Sequence, residues 1–204
     1  MNSMFKTSRK FMPTYLLIAL NIAVYACISI ISGDFMETRY DFILWYGQVN
    51  QLVIEGWYWQ LFTSVFIHVS IIHLLGNMFF LLVFGLRAEE LFSIEEYLLI
   101  YFLGGLAGNL LTLLFGPSMI SAGASGAIFS LFGACIIYIQ RAIGQSAVTA
   151  LLYSLFLLMV SSGPKVNNLA HLGGLIVGLA IGYALAAVRK SRATYQYRYS
   201  FSTR

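Results

Sequence analysis

The sequence runs to 204 residues, of which 59% are hydrophobic and only 10% charged, with a formal charge of +4. A soluble domain is roughly 45 to 50% apolar and about 25% charged, and a chain of this length still exposes about 30% of its unfolded surface, so the few charged side chains here exclude a water-soluble fold. The positive charge does not point to nucleic acid, because it gathers in two terminal clusters, Lys6, Arg9, Lys10 and Arg189, Lys190, Arg192, Arg198, Arg204, rather than on one folded face. Cys27 and Cys135 lie inside apolar runs, which excludes a disulfide framework.

A helix needs about 20 mostly apolar residues to cross a bilayer, and six segments qualify, near 14–32, 61–84, 95–115, 122–140, 145–162 and 168–188. The expected fold is an all-α membrane protein with six transmembrane helices. The first segment follows basic residues as a secretory signal would, yet no small-x-small cleavage site comes after it, so it is read as retained. Placing both termini in the cytoplasm leaves only Arg39 and Lys165 outside, so ten of the twelve basic residues obey the positive-inside rule. This gives a cytoplasmic N-terminus over 1–13, a six-helix domain over 14–188 and a basic cytoplasmic tail over 189–204.

The longest connection, 33–60, carries Asp34, Glu37, Asp41 and Glu55 with Trp45, Tyr46, Trp57, Tyr58 and Trp59. Indole and phenol rings favour the headgroup level, so this loop is expected in the outer interface. No internal repeat of the kind many transporters show is present.

Polar residues at membrane depth cost free energy unless they are satisfied or used, and five stand out: His68, His73, Asn77, Ser125 and His171. His73 and Asn77 are four apart and share a helix face. His68 is expected about one and a half turns earlier on the same helix. Ser125 sits in Gly123-Ala124-Ser125-Gly126 at the outer start of the fourth segment. Flanking glycines leave a hydroxyl unshielded, as a nucleophile requires, although small residues around serine also serve helix packing. His171 opens the sixth segment, again on the outer side, and Gly174, Gly178 and Gly182 recur every four residues behind it. That stripe lets the two helices press together and brings serine and imidazole to similar depth. The last acidic residue is Glu96, so no carboxylate accompanies them in the later segments. The residues therefore favour a Ser-His dyad over a triad, with His171 as base. His73, Asn77 and the Ser125 backbone N–H are candidate donors to an oxyanion.

His68, His73 and Asn77, then the GxSG of Ser125, then Ala170-His171 followed by the glycine stripe resemble, in order and over residues 59–182, the rhomboid intramembrane serine proteases. The resemblance implies a six-helix core of the minimal bacterial type, in a bacterial cytoplasmic membrane, with an active site opening outward. It further implies cleavage of single-pass membrane proteins near the outer ends of their helices, within lipid and without a cofactor or metal. It assigns Ser125 as nucleophile, His171 as base and His73 and Asn77 as oxyanion donors, with Gly123 and Gly126 around the serine. His68 takes a supporting role. Phe129 stands where many relatives have a tyrosine stacked on the catalytic histidine. Two departures stand out: Trp59-Gln60 replaces a frequent Trp-Arg, and Leu91 replaces the arginine of Glu-x-Arg that begins at Glu89.

Competing classes are weaker. A zinc protease needs HExxH, which is absent. An aspartyl intramembrane protease needs two intramembrane aspartates, and Asp34 and Asp41 are both in the first loop. A transporter with a polar histidine pathway is the main alternative from another class, and a non-catalytic rhomboid-like scaffold is the other.

Overall fold

The computed structural model describes residues 12–163 and 166–201, with side chains to Arg189. Lys6, Arg9, Lys10, Lys165 and Arg204 lie outside the described residues, as do the side chains of Lys190, Arg192 and Arg198. The chain is predominantly helical. Helix α1 spans Pro13–Ser32, and the short helices α2, Tyr40–Tyr46, α3, Asn50–Ile54, and α4, Gln60–Thr63, lie in and after the first loop. Helix α5 covers Ile71–Leu91, α6 Ile94–Thr112, α7 Ser125–Ala142, α8 Ala147–Val160 and α9 Asn168–Phe201.

Each of the six apolar segments contains a helix, and five of these helices are long and apolar enough to cross a membrane. Helix α8 is shorter, at 14 residues. At 1.5 Å per residue it spans about 21 Å, against a hydrocarbon core of about 30 Å. Polar turns cut it off at both ends: Ser146 caps its start by accepting from Val148 N at 3.2 Å, and Ser161 and Ser162 close its end.

The second segment needs correction. The sequence places a continuous helix over 61–84, whereas the crossing helix begins only at Ile71. Residues 61–66 belong to α4 and a single 3-10 turn, and Ile67 is extended. The backbone of 68–71 finds its partners in the first loop instead of in a helix. Thr38 N donates to Val69 O at 3.0 Å, Ile71 N to Met36 O at 3.0 Å and Thr38 Oγ1 to His68 O at 2.6 Å. Ser70 then caps α5 by accepting from His73 N at 3.2 Å. His68 is therefore not on the helix that carries His73.

Helices α6, α7 and α9 form the densest part of the bundle. A methyl group on Gly174 would overlap the Gly126 carbonyl oxygen, and one on Gly178 would overlap that of Ser130. At Gly182 it would stand 2.5 Å from Ala134 O, and at Gly108 of α6 it would stand 2.5 Å from Ala170 O. Backbone meets backbone along this seam, as small residues allow in a membrane.

The first loop is folded rather than a simple strap. Gln48–Val49 pair antiparallel with Ile120–Ser121, the segment leading to Ser125. Gln60 is fully buried. Its Oε1 accepts from Val49 N at 2.8 Å and its Nε2 donates to Leu44 O at 2.7 Å. Both bonds suit a neutral amide, which accounts for glutamine where relatives often carry arginine. At the opposite end of the bundle, an arginine from another helix reaches the backbone of Leu91. Arg189 of α9 donates to Leu91 O at 2.6 Å and pairs with Glu96 Oε2 at 2.6 Å. The loop's Trp57 stacks on Trp59 and meets Trp45 at a tilt, each pair with a centroid spacing of 4.9 Å, and Trp45 and Trp59 are exposed.

Candidate active site

Ser125 is the first residue of α7, and the turn before it needs a glycine. Gly123 has φ of 121°, a region open to glycine alone, and its N–H donates to Ser64 O at 2.9 Å. A side chain there would also strike the His73 ring, 2.7 Å from Cε1 and 3.0 Å from Nε2. Gly126, on the other side of the serine, faces Ala170 O, 3.1 Å from where its Cβ would stand. Since Ala170 precedes His171, the residues beside serine and histidine touch through their backbones.

His171 sits in the first turn of α9 and is buried. Its ring stacks on Phe129, one turn after Ser125, with centroids 4.3 Å apart and planes 18° from parallel. His171 Nδ1 is buried without a hydrogen-bond partner. None of the eight carboxylates in the chain lines the cavity that His171 borders. Asp34 is engaged by the N–H groups of Met36 and Glu37, which hold its carboxyl below the usual carboxylate range. Asp41 is engaged by Arg39, and Glu55 accepts from Gln51.

Asn77 lies one turn after His73 on α5. One N–H of its amide donates to His73 O at 2.9 Å, which leaves the second uncommitted. His68 packs edge-on against His73 with ring centroids 5.3 Å apart. It is nearly inaccessible, and neither ring nitrogen has a hydrogen-bond partner.

The other site residues meet at two adjoining cavities, neither of which His68 borders. One, of about 240 Å³, is bordered by His73, Asn77, Ser125, Phe129 and His171, with Phe80, Phe84 and Leu157 supplying apolar wall. The other, of about 350 Å³, shares His73 and Ser125 and is more polar, with Ser70, Asn109, Ser121 and Asn167 on its wall. Ser125 also begins α7, so its N–H and the next two point out of the helix start without intrahelical partners. That is a favourable place for developing negative charge. Among the described residues, no group of three or more His, Cys, Asp or Glu side chains comes together as a metal site would require.

The sequence motifs miss a second polar layer. Asn109 Nδ2 donates to Leu61 O and Ser64 Oγ, Gln48 Nε2 donates to Asn109 O, and Asn167 joins Thr112 to Ser121. Asn109 was detectable as an asparagine inside an apolar span. Asn167 was detectable as an asparagine at a helix start.

A model of the rhomboid domain matches residues 55–188. RHOMBOID-like protein 6, mitochondrial, of Arabidopsis thaliana is 39% identical over 133 residues, 62% of this chain and 43% of that protein. RHOMBOID-like protein 1 of the same plant is 36% identical over 141 residues, 66% of this chain and 36% of its own length. Rhomboid protease GluP of Bacillus subtilis (strain 168) is 34% identical over 182 residues, 84% of this chain and 34% of that protein. The chain thus spans between about a third and a half of the length of these relatives. The motif order that the sequence shares with rhomboids falls within the matched residues, and the helical bundle carries it at one end: this chain is a multi-pass membrane protein that belongs to the rhomboid family.

Proposed function

We propose that the protein is an intramembrane serine endopeptidase that cuts single-pass transmembrane proteins with a Ser125–His171 dyad. The observation that carries this reading is the shared cavity wall. Ser125 and His171 border one cavity, their neighbours Gly126 and Ala170 are in backbone contact, and Phe129 holds the imidazole by a 4.3 Å stack. In the proposed reaction, His171 takes the Ser125 proton as Oγ attacks the scissile carbonyl. The Ser125 N–H, His73 and Asn77 then stabilise the oxyanion. The imidazolium returns its proton to the leaving amine. Water, activated by the same base, hydrolyses the acyl-enzyme and regenerates the hydroxyl.

The cavity lies at the N-terminal ends of α5, α7 and α9, whereas Arg87 and Arg141 sit near the C-terminal ends of α5 and α7 and Arg189 closes the apolar part of α9. Together with the basic termini, this charge distribution supports an outward-facing site with both ends of the chain in the cytoplasm. The direct test is to reconstitute the purified protein in liposomes with a single-pass reporter. Cleavage should fall near the outer end of the reporter helix, and an uncut reporter, or a cut at the inner end, would contradict the proposal.

The absence of a carboxylate at His171 leads to a second expectation. Neutralising Asp34, Glu37, Asp41 or Glu55 singly should leave cleavage within about tenfold of wild type. Phe129→Ala should cost on the order of 10²-fold, because the imidazole loses the stack that restricts its orientation. Initial cleavage rates of the five variants check this. A hundredfold loss from any one acid, in protein still folded, would reveal a triad.

A further inference from the structure

Asn167 immediately precedes α9, and its side-chain amide makes three bonds to three different parts of the chain. Oδ1 accepts from Ala170 N at 3.0 Å, which caps the helix one residue before His171. Nδ2 donates to Thr112 Oγ1 at the end of α6 at 2.7 Å, and to Ser121 Oγ at 2.8 Å. Ser121 lies four residues before Ser125, in the short strand held by Gln48. The Thr112 hydroxyl already donates its proton to Gly108 O at 2.8 Å, so it meets Asn167 as an acceptor and requires an N–H there. One amide therefore ties the start of the histidine helix to the segment that delivers the serine, with α6 as the common support.

We propose that Asn167 is a positioning residue that sets His171 against Ser125, a role that rests on the dyad reading above. A mere helix cap would need only an acceptor, which serine or aspartate supplies equally well. The bridge needs both donors of an asparagine amide. In Asn167→Ser the cap survives, but a single hydroxyl on a shorter side chain cannot span Thr112 and Ser121. Loss of the bridge loosens the dyad. Asn167 and Ser121 also stand on the wall of the polar cavity beside Ser125, so the labelling rate, which needs no docked transmembrane substrate, separates positioning from binding.

The test uses the full chain in detergent and in proteoliposomes, with three readouts: the thermal midpoint, kcat and KM for a single-pass substrate, and the rate at which a small fluorophosphonate labels Ser125. Asn167→Ser should keep its midpoint within a few degrees and lose far more in kcat than in KM. Its kcat and labelling rate should fall together, by about 10²-fold, as a misplacement near 1 Å at the dyad would cause. Ser121→Ala, which leaves the cap and the Thr112 bond in place, should lose about fivefold in both rates, the worth of one hydrogen bond. The double variant should be no slower than Asn167→Ser. Wild-type kcat and labelling in Asn167→Ser, or losses that vanish on cooling in step with recovered folding, would overturn the inference. If Asn167→Ser does not fold, Ser121→Ala decides alone: an unchanged labelling rate overturns the role. Wild-type protein that takes no label would instead remove the nucleophile reading, and the positioning role with it.

Discussion

Ser125→Ala and His171→Ala are each expected to bring cleavage of a single-pass substrate to background, with the double variant little worse than either one. Nucleophile and base act as a unit, so removing one leaves the other nothing to do, and their losses do not add. The geometry supports treating them so, because both border one cavity and their chain neighbours touch. Asn77→Ala should be milder, with a loss of about 10² to 10³ in kcat if its free N–H faces the oxyanion. Initial rates in proteoliposomes separate these outcomes. A single alanine variant at Ser125 or His171 with wild-type rate would remove the residue from the chemistry.

Gly174→Ala should be nearly as damaging, for a different reason. In an isolated helix, alanine is favoured over glycine by about 1 kcal/mol, so any loss must come from packing. The new methyl would overlap the Gly126 carbonyl oxygen, with backbone on both sides and no side chain able to yield. Helices α7 and α9 would have to part at the level of the dyad. Overpacking of this kind costs up to about 3 kcal/mol or more, which lowers the thermal midpoint by roughly 6 to 12 °C. A shift near 1 Å between the two helices adds about 10²-fold in rate. Gly178→Ala, opposite Ser130 O, should behave alike, whereas Gly76→Ala has nothing within 4 Å and should hold its midpoint. Equal midpoints for Gly174→Ala and Gly76→Ala would show that the seam is not a close contact.

Those glycines were legible in the sequence, because a stripe at every fourth residue is a periodic signal. The apolar runs were legible for the same reason, since bilayer thickness imposes a length. His68 was misplaced because the apolar run 61–67 carries no mark of where helix gives way to extended chain. The break is set by Thr38 and Met36, some 30 residues away, taking up backbone groups of 68–71. The folded first loop was hidden for a related reason. Gln60 reaching Leu44 and Val49, and Asn50 reaching Thr112 and Gly116, are single long-range bonds with no period. Phe129 and His171 lie 42 positions apart and were linked only by resemblance, which gave the stack but not its 4.3 Å spacing. The span of α8 was legible as apolar sequence. Its shortness depends on the serine turns that close it.

The dyad stands or falls on whether Ser125 is an activated nucleophile. The most direct measurement is intact-mass and peptide analysis of the purified protein after exposure to a fluorophosphonate. The expected result is one adduct per chain, on Ser125, formed neither by Ser125→Ala nor at a comparable rate by His171→Ala. An unmodified Ser125 in folded wild-type protein, or labelling that persists at full rate without His171, would contradict the dyad.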